Sequence, residues 1–187
     1  MEDVPDEELV AAAIAGRNAN AFGELVRRHQ SRLRRWLTRL CGDRDCADDL
    51  AQDTFVKAYD KLHTFSGRGR FQSWLFKIAY TTFLEDRRRN HRRAELIDRL
   101  VKPAAALAAS EAQESSNRAL DTSMDLTKLL ASLDEAEQRI LILFYGFGFS
   151  HQEVAGIVKQ PLGTVKSQIH RAKARLRQTA ALGQTGS

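Results

Sequence analysis

Apolar residues recur along most of this chain at spacings of three and four, which places them on single faces of helices. The pattern predicts a first helix over about 6–15 that stops at Gly16. A second runs over about 19–40, with Phe22, Leu25, Val26, Leu33, Trp36, Leu37 and Leu40 on its buried face. Gly42-Asp43 breaks the pattern, and a third helix follows over about 45–62. A loop then carries Phe65-Ser66-Gly67-Arg68-Gly69-Arg70. A fourth helix starts near Phe71 and runs into the basic stretch 87–93. No alternating pattern of a half-buried strand stands out. From about Ala94 to Asp121 the composition changes to Pro103, an alanine run and the polar stretch 110–117, which reads as a linker, partly helical and partly flexible. Helical periodicity resumes near Thr122. The expected fold is all-α: two small helical domains, 1–93 and 122–187, joined by a flexible linker over 94–121.

The last sixty residues contain a sharper signal. Ser150-His151-Gln152-Glu153 has the spacing of a capping box, with Ser at the N-cap and Glu three residues on. The short helix that follows, to about Lys159, would bury Val154, Ala155 and either Ile157 or Val158. Gln160-Pro161-Leu162-Gly163 then reads as a turn, since proline cannot continue a helix. Thr164 opens a further helix to about Gln178. Val165, Ile169, Ala172 and Leu176 share its inner face, and the remainder is basic and polar. A capped short helix, a tight turn and a basic amphipathic helix suit a helix-turn-helix whose second helix enters a major groove.

Two more surfaces stand out. The third helix would bury Ala47, Leu50, Ala51, Phe55, Ala58 and Leu62 and present Asp48, Asp49, Gln52, Asp53, Val56 and Asp60. Such a face repels phosphate, so it is either plainly solvated or docks a basic protein surface. The fourth helix and its loop combine Phe65, Phe71, Trp74, Phe76 and Tyr80 with Arg68, Arg70, Lys77 and five arginines over 87–93. Basic grooves with aromatic walls hold single-stranded nucleic acid. Phe71, Trp74, Leu75 and Ile78 keep helical spacing, which favours a core role, and the loop 63–70 is the better candidate for a base pocket. SGRGR lacks the spacing and the Lys-Ser/Thr end of a phosphate-binding P-loop.

Composition adds little that these patterns leave open. A net charge of +5 and a pI near 9.5 suit an anionic partner. The acidic start MEDVPDEELV has no signal-peptide form, and no apolar run approaches the roughly 20 residues of a membrane span, so a cytoplasmic location is expected. Cys41 and Cys46 lack companion ligands for zinc and read as reduced thiols, a redox role being the minor alternative. With no nucleophile–base pair, metal cluster or cofactor loop, the chain is expected to be no enzyme and to need neither metal nor cofactor.

Residues 45–79 (DCADDLAQDTFVKAYDKLHTFSGRGRFQSWLFKIA) and 132–177 (SLDEAEQRILILFYGFGFSHQEVAGIVKQPLGTVKSQIHRAKARLR) together resemble the extracytoplasmic-function class of bacterial RNA polymerase sigma factors. The resemblance runs from about Phe22 to Gln178. It implies that Asp48, Asp49, Gln52, Asp53 and Val56 dock the β′ clamp coiled coil of core polymerase. It implies recognition of the minus-ten element, including a flipped base, by His63, Phe65, Ser66, Gly67, Arg68, Arg70, Phe71, Lys77, Tyr80, Thr81 and Arg88. The minus-thirty-five element would fall to Thr164, Lys166, Ser167, Gln168, His170, Arg171, Lys173 and Arg175. The implied partners are the polymerase core, through its β′ and β subunits, promoter DNA and an anti-sigma factor. Thr81, Glu85 and Gln168 depart from the residues common in the class, asparagine, aspartate and arginine respectively.

Overall fold

The computed structural model describes residues 4–16, 18–67, 69–101 and 133–184. The chain divides into two compact units, Met1–Arg118 and Ala119–Ser187. Every regular element among the described residues is helical.

In the first unit, α1 spans Asp6–Gly16 and opens on Asp6, Glu7 and Glu8, whose charge complements the positive end of the helix dipole. It buries Val10 and Ala13 against α2, Ala19–Cys41. Asn18 caps α2 by accepting from the backbone N–H groups of Asn20 and Ala21. Gly42 ends α2 at φ 74°, a left-handed conformation that glycine adopts without strain, and its N–H donates to the Thr38 carbonyl. Asp43 then caps α3, Arg44–Asp60, accepting from Cys46 N–H at 2.7 Å. A 3-10 turn over Leu62–Thr64 and a loop lead into α4, Phe71–Val101. Helix α3 packs on both α2 and α4, and the core between them holds Trp36 stacked on Phe76 at 4.8 Å. Each fully buried Leu or Phe here contributes roughly 1.5–3 kcal/mol relative to exposure. Helix α4 continues through Arg93 to Val101, so the first eight residues of the expected linker are helical; the rest of it, 102–121, lies outside the described residues, as does 122–132.

In the second unit, α5 spans Glu135–Leu141 and starts with a capping box between Asp134 and Glu137. A π-helical turn over Ile142–Gly146 follows, which the periodicity gave no sign of. It lets Leu143, Phe147 and Phe149 all turn inward and leaves Tyr145 on the surface. Ser150 and Glu153 form the expected capping box of α6, His151–Val158, which buries Val154, Ala155, Ile157 and Val158 together. Lys159 closes α6 in the left-handed region at φ 56°, at a cost of about 1 kcal/mol for a residue with a side chain. Helix α7 spans Leu162–Gln184 and so starts two residues before the expected Thr164. The reason is local: the Pro161 carbonyl already accepts from Val165 N–H at 3.1 Å, so proline precedes the first turn and Gly163 lies inside it. Val165, Ile169 and Ala172 are buried, with Leu176 half-buried, as their spacing requires.

Candidate nucleic-acid and protein interfaces

The outer face of α3 is exposed at Asp48, Asp49, Gln52, Asp53 and Asp60. Val56 lies among them with 62% of its surface accessible, the most exposed of the large apolar side chains among the described residues. Tyr59, half-exposed one turn on and edge-to-face with Phe22 at 5.0 Å, extends the apolar centre of this face. The sequence reading missed Tyr59, although its i+3 spacing from Val56 was visible. Asp48 is tied back to α2 by an ion pair with Arg34 at 3.1 Å.

The residues expected to meet the minus-ten strand separate into two groups. His63, Ser66, Gly67, Arg70, Lys77 and Arg88 are exposed; Arg68 lies outside the described residues. Gly67 and Gly69 take φ of 69° and 84°, which turns the loop sharply on its way back to α4. Phe65, Phe71 and Tyr80 are all buried, Phe71 as its helical spacing favoured, so their rings offer little surface to a base. Phe65 packs edge-on against Phe71 at 5.8 Å and against Trp74 at 5.7 Å, and Tyr80 lies 6.2 Å from Trp36. Their rings anchor the loop and helix from below, since burying an aromatic outweighs leaving it as an exposed platform. Thr81 is half-buried and donates its hydroxyl to the Lys77 carbonyl at 2.9 Å. Glu85 pairs with Lys57 of α3 at 2.8 Å. Gln72, at the start of α4, is buried and its Nε2 finds no acceptor.

On α7, Thr164, Lys166, Ser167, His170, Arg171 and Lys173 are exposed along the side opposite Val165 and Ile169. Ser167 donates to the Thr164 carbonyl at 2.8 Å, which leaves its hydroxyl oxygen free to accept. Gln168 is half-buried, with its Oε1 enclosed and unbonded. Arg175 is exposed as well, and its Nη1 donates at 2.8 Å to Oε2 of Glu137, a carboxylate only 3% exposed.

Cys41 and Cys46 face each other across the turn between α2 and α3, and no other thiol or imidazole among the described residues completes a metal site. Burial pushes the Cys41 thiol well above its ordinary value, with the Cys46 hydrogen bond and the carboxylates of Asp86 and Asp43 adding to the effect. Cys46 is raised too, by burial first. Among the described residues no helix is long and apolar enough to cross a membrane.

A family profile described as Sigma-70 region 2 matches residues 25–93, and one described as Sigma-70, region 4 matches 123–176. The chain is 30% identical over 174 residues to the RNA polymerase sigma-H factor of Pseudomonas aeruginosa, covering 90% of each protein. It is 32% identical over 158 residues to the ECF RNA polymerase sigma factor SigE of Mycolicibacterium smegmatis, covering 84% of this chain but 60% of that longer protein. Among solved structures it resembles CnrH in complex with the cytosolic domain of CnrY, with a TM-score of 0.64, 28% identity and coverage of 97% of this chain and 99% of that one. It also resembles the sigma factor RpoE in complex with the anti-sigma factor NepR from Bartonella quintana, with a TM-score of 0.61, 28% identity and coverage of 86% and 96%. Two sigma-70 regions in order, helical units to match and relatives spanning most of the chain lead to one assignment: the chain belongs to the extracytoplasmic-function class of sigma-70 factors, which direct promoter-specific transcription initiation.

Proposed function

We propose that the chain acts as a dissociable initiation subunit whose two units divide the promoter between them. Helix α3 docks the β′ clamp coiled coil through Asp48, Asp49, Gln52, Asp53 and Val56. The observation that carries this is Val56: an exposed apolar side chain ringed by carboxylates suits a basic protein surface with an apolar centre and excludes DNA. The exposed part of the loop and α4 (His63, Ser66, Gly67, Arg70, Lys77 and Arg88, with Thr81 beside them) holds the melted minus-ten strand. Phe65, Phe71 and Tyr80 support it from the core. Unstacking costs a few kcal/mol per step, which base capture and polymerase contacts offset. Lys166, Ser167, His170 and Arg171 of α7 reach base edges of the minus-thirty-five element, while Thr164 and Lys173 hold phosphates. No bond is made or broken by this chain. Control by an anti-sigma factor is supported by the solved relative bound to one.

Run-off transcription with core polymerase over a genomic template library tests the proposal. At least one promoter should fire only when the chain is present. Reversing Asp49 and Asp53 to Lys should abolish core binding; unchanged binding removes α3 as the docking surface, and silence on every template refutes the function.

A further inference from the structure

The loop between the 3-10 turn and α4 contains Gly67 and Gly69, both at positive φ, so its own backbone does little to fix where Ser66 and Arg70 point. Its two ends must do so. The far end is held by Phe71, whose ring lies 5.8 Å from Phe65 and 5.5 Å from Trp74. There the Arg70 carbonyl also accepts from Ser73 N–H at 3.0 Å, in the first turn of α4. The near end is the 3-10 turn itself, with Leu62 buried. Both ends are tied to α1, in different ways.

Helix α1 packs on the 3-10 turn directly. It reaches Phe71 through a side chain of α2. Asp6, the first residue of α1, meets His29 Nε2 at 2.6 Å with one carboxylate oxygen and Arg28 Nη1 at 3.3 Å with the other. A carboxylate only accepts, so His29 Nε2 carries the hydrogen and donates it. Arg28 Nη1 also donates to the Val4 carbonyl at 2.6 Å, which pins the start of α1 to α2. The same imidazole lies 5.4 Å from the Phe71 ring, centroid to centroid. The His29 side chain is 13% exposed and that of Asp6 24%, so water screens their bond only in part. The dipole of α1 does not require this arrangement, because Glu7 and Glu8 already complement it.

We propose that His29, held by Asp6, is a positioning residue for base capture: through it α1 braces the loop at both ends and sets where the loop's exposed residues meet the melted strand. The inference rests on the promoter reading above. It gives a role to α1, which carries none of the residues assigned to polymerase or DNA. With the bond in place the imidazole is fixed against Phe71, and Phe71 with Phe65 forms the anchor from which Ser66 and Arg70 extend. Without it the imidazole turns freely, Phe71 loses a wall and the loop samples more positions. An arriving base must then order the loop as it binds, which weakens capture.

The test uses holoenzyme assembled on core polymerase and a forked template from a promoter that fires in the run-off screen, with its minus-ten non-template strand single-stranded. Each base of that strand is removed in turn to leave an abasic site. Wild-type affinity should fall about tenfold at the captured base, since contacts to one unstacked base supply about this much. Asp6→Leu and His29→Phe, the second keeping a ring beside Phe71 but no donor, should each bind the intact fork about tenfold more weakly, as a hydrogen bond to a charged group allows. The double variant should be no weaker than either single one, because both remove the same bond. On the fork that lacks the captured base, variants and wild type should bind alike, which a general loosening of the fold would not produce. Asp6→Asn keeps an acceptor for His29 and should restore most of the affinity. Variants that match the wild type on the intact fork overturn the brace. An equal loss on intact and abasic forks overturns it too, as does a loss traced to weaker core binding. If Asp6→Leu does not fold, His29→Phe and Asp6→Asn decide the matter. A wild-type holoenzyme indifferent to every abasic site overturns the base-capture reading and the brace with it.

Discussion

Arg175→Met separates a structural role from a DNA-reading one at a single side chain. The Glu137 carboxylate is almost wholly enclosed and has two partners: it closes the cap of α5 by accepting from Asp134 N–H, and it accepts from Arg175 of α7 at 2.8 Å. Removing Arg175 leaves a buried carboxylate short of its cation. Breaking a fully buried pair costs about 3–5 kcal/mol, and a hydrogen bond to a charged group is worth about 1.5–3 kcal/mol. The Arg175 side chain is half-exposed, so water reaches the vacated place and the lower range applies. A loss of about 2 kcal/mol follows, or about 10 °C in Tm for a domain of this size. Glu137→Gln keeps the shape and loses the charge, and should cost about 1 kcal/mol. The double variant should cost less than the sum by about 1 kcal/mol, the coupling expected of groups in contact. Hydrogen-exchange protection of amides in α5 and α7 of the full-length protein reads these values without requiring the unit to be isolated. Additive effects would refute the pairing. The salt dependence of holoenzyme binding to a promoter decides the function. Arg175→Met should leave the slope unchanged, while Lys173→Met should reduce it by about 0.9. Equal reductions would mean that Arg175 leaves Glu137 for a phosphate in the complex.

Two further expectations concern ionisation in the first unit. Hydrogen bonds from Arg27 and Arg28 lower the Glu24 carboxyl from 4.5 to about 2, so its contribution is present above the unfolded value and fades as pH falls from 4.5 toward 2; urea unfolding at pH 6 and pH 3 should show a smaller acid loss in Glu24→Gln, and identical pH profiles would dismiss the clasp. Because burial keeps the Cys41 thiol protonated, alkylation at pH 8 should proceed at least about tenfold more slowly in the native chain than in urea, and equal rates would reopen a redox role for the pair.

The boundaries of α1, α2 and α3 were readable to within about two residues because their caps are local: Asn18, Asp43 and the Gly42 stop act within four residues of chain. The helix-turn-helix was readable for the same reason, through Ser150 and Glu153. What escaped depends on distant partners. The burial of Phe65 and Tyr80 shows only once the loop folds back onto Trp74 and α4 lies beside Trp36, whereas the helical spacing of Phe71 already favoured the core. Arg175 lies 38 residues from Glu137, beyond any helical period, so its bond to that carboxylate was not visible in its spacing. The π-turn has no propensity signature; it satisfies three inward rings and side chains in a short span, a packing demand visible only in three dimensions.

The pairing of Arg175 with Glu137 bears on the energetics of promoter search. The other exposed cations of α7 are Lys166, Arg171, Lys173 and Arg177, with His170 beside them. Even if all four of these cations met phosphates, the salt slope would be only about −3.6, far below that of a repressor that binds DNA alone, and nonspecific affinities of such modules are about 10⁻⁴–10⁻⁶ M. A helix this weakly charged cannot hold a promoter against the rest of a genome. Tethered to polymerase together with a strand-binding unit, it needs no such strength, because linkage supplies an effective concentration of about millimolar. Raising the charge of α7 would then add nonspecific residence time without adding base contacts. The acidic face of α3, the proposed docking surface for polymerase, opposes DNA binding too, so the factor without its core should be a poor DNA-binding protein, and most of its promoter affinity should appear only on assembly.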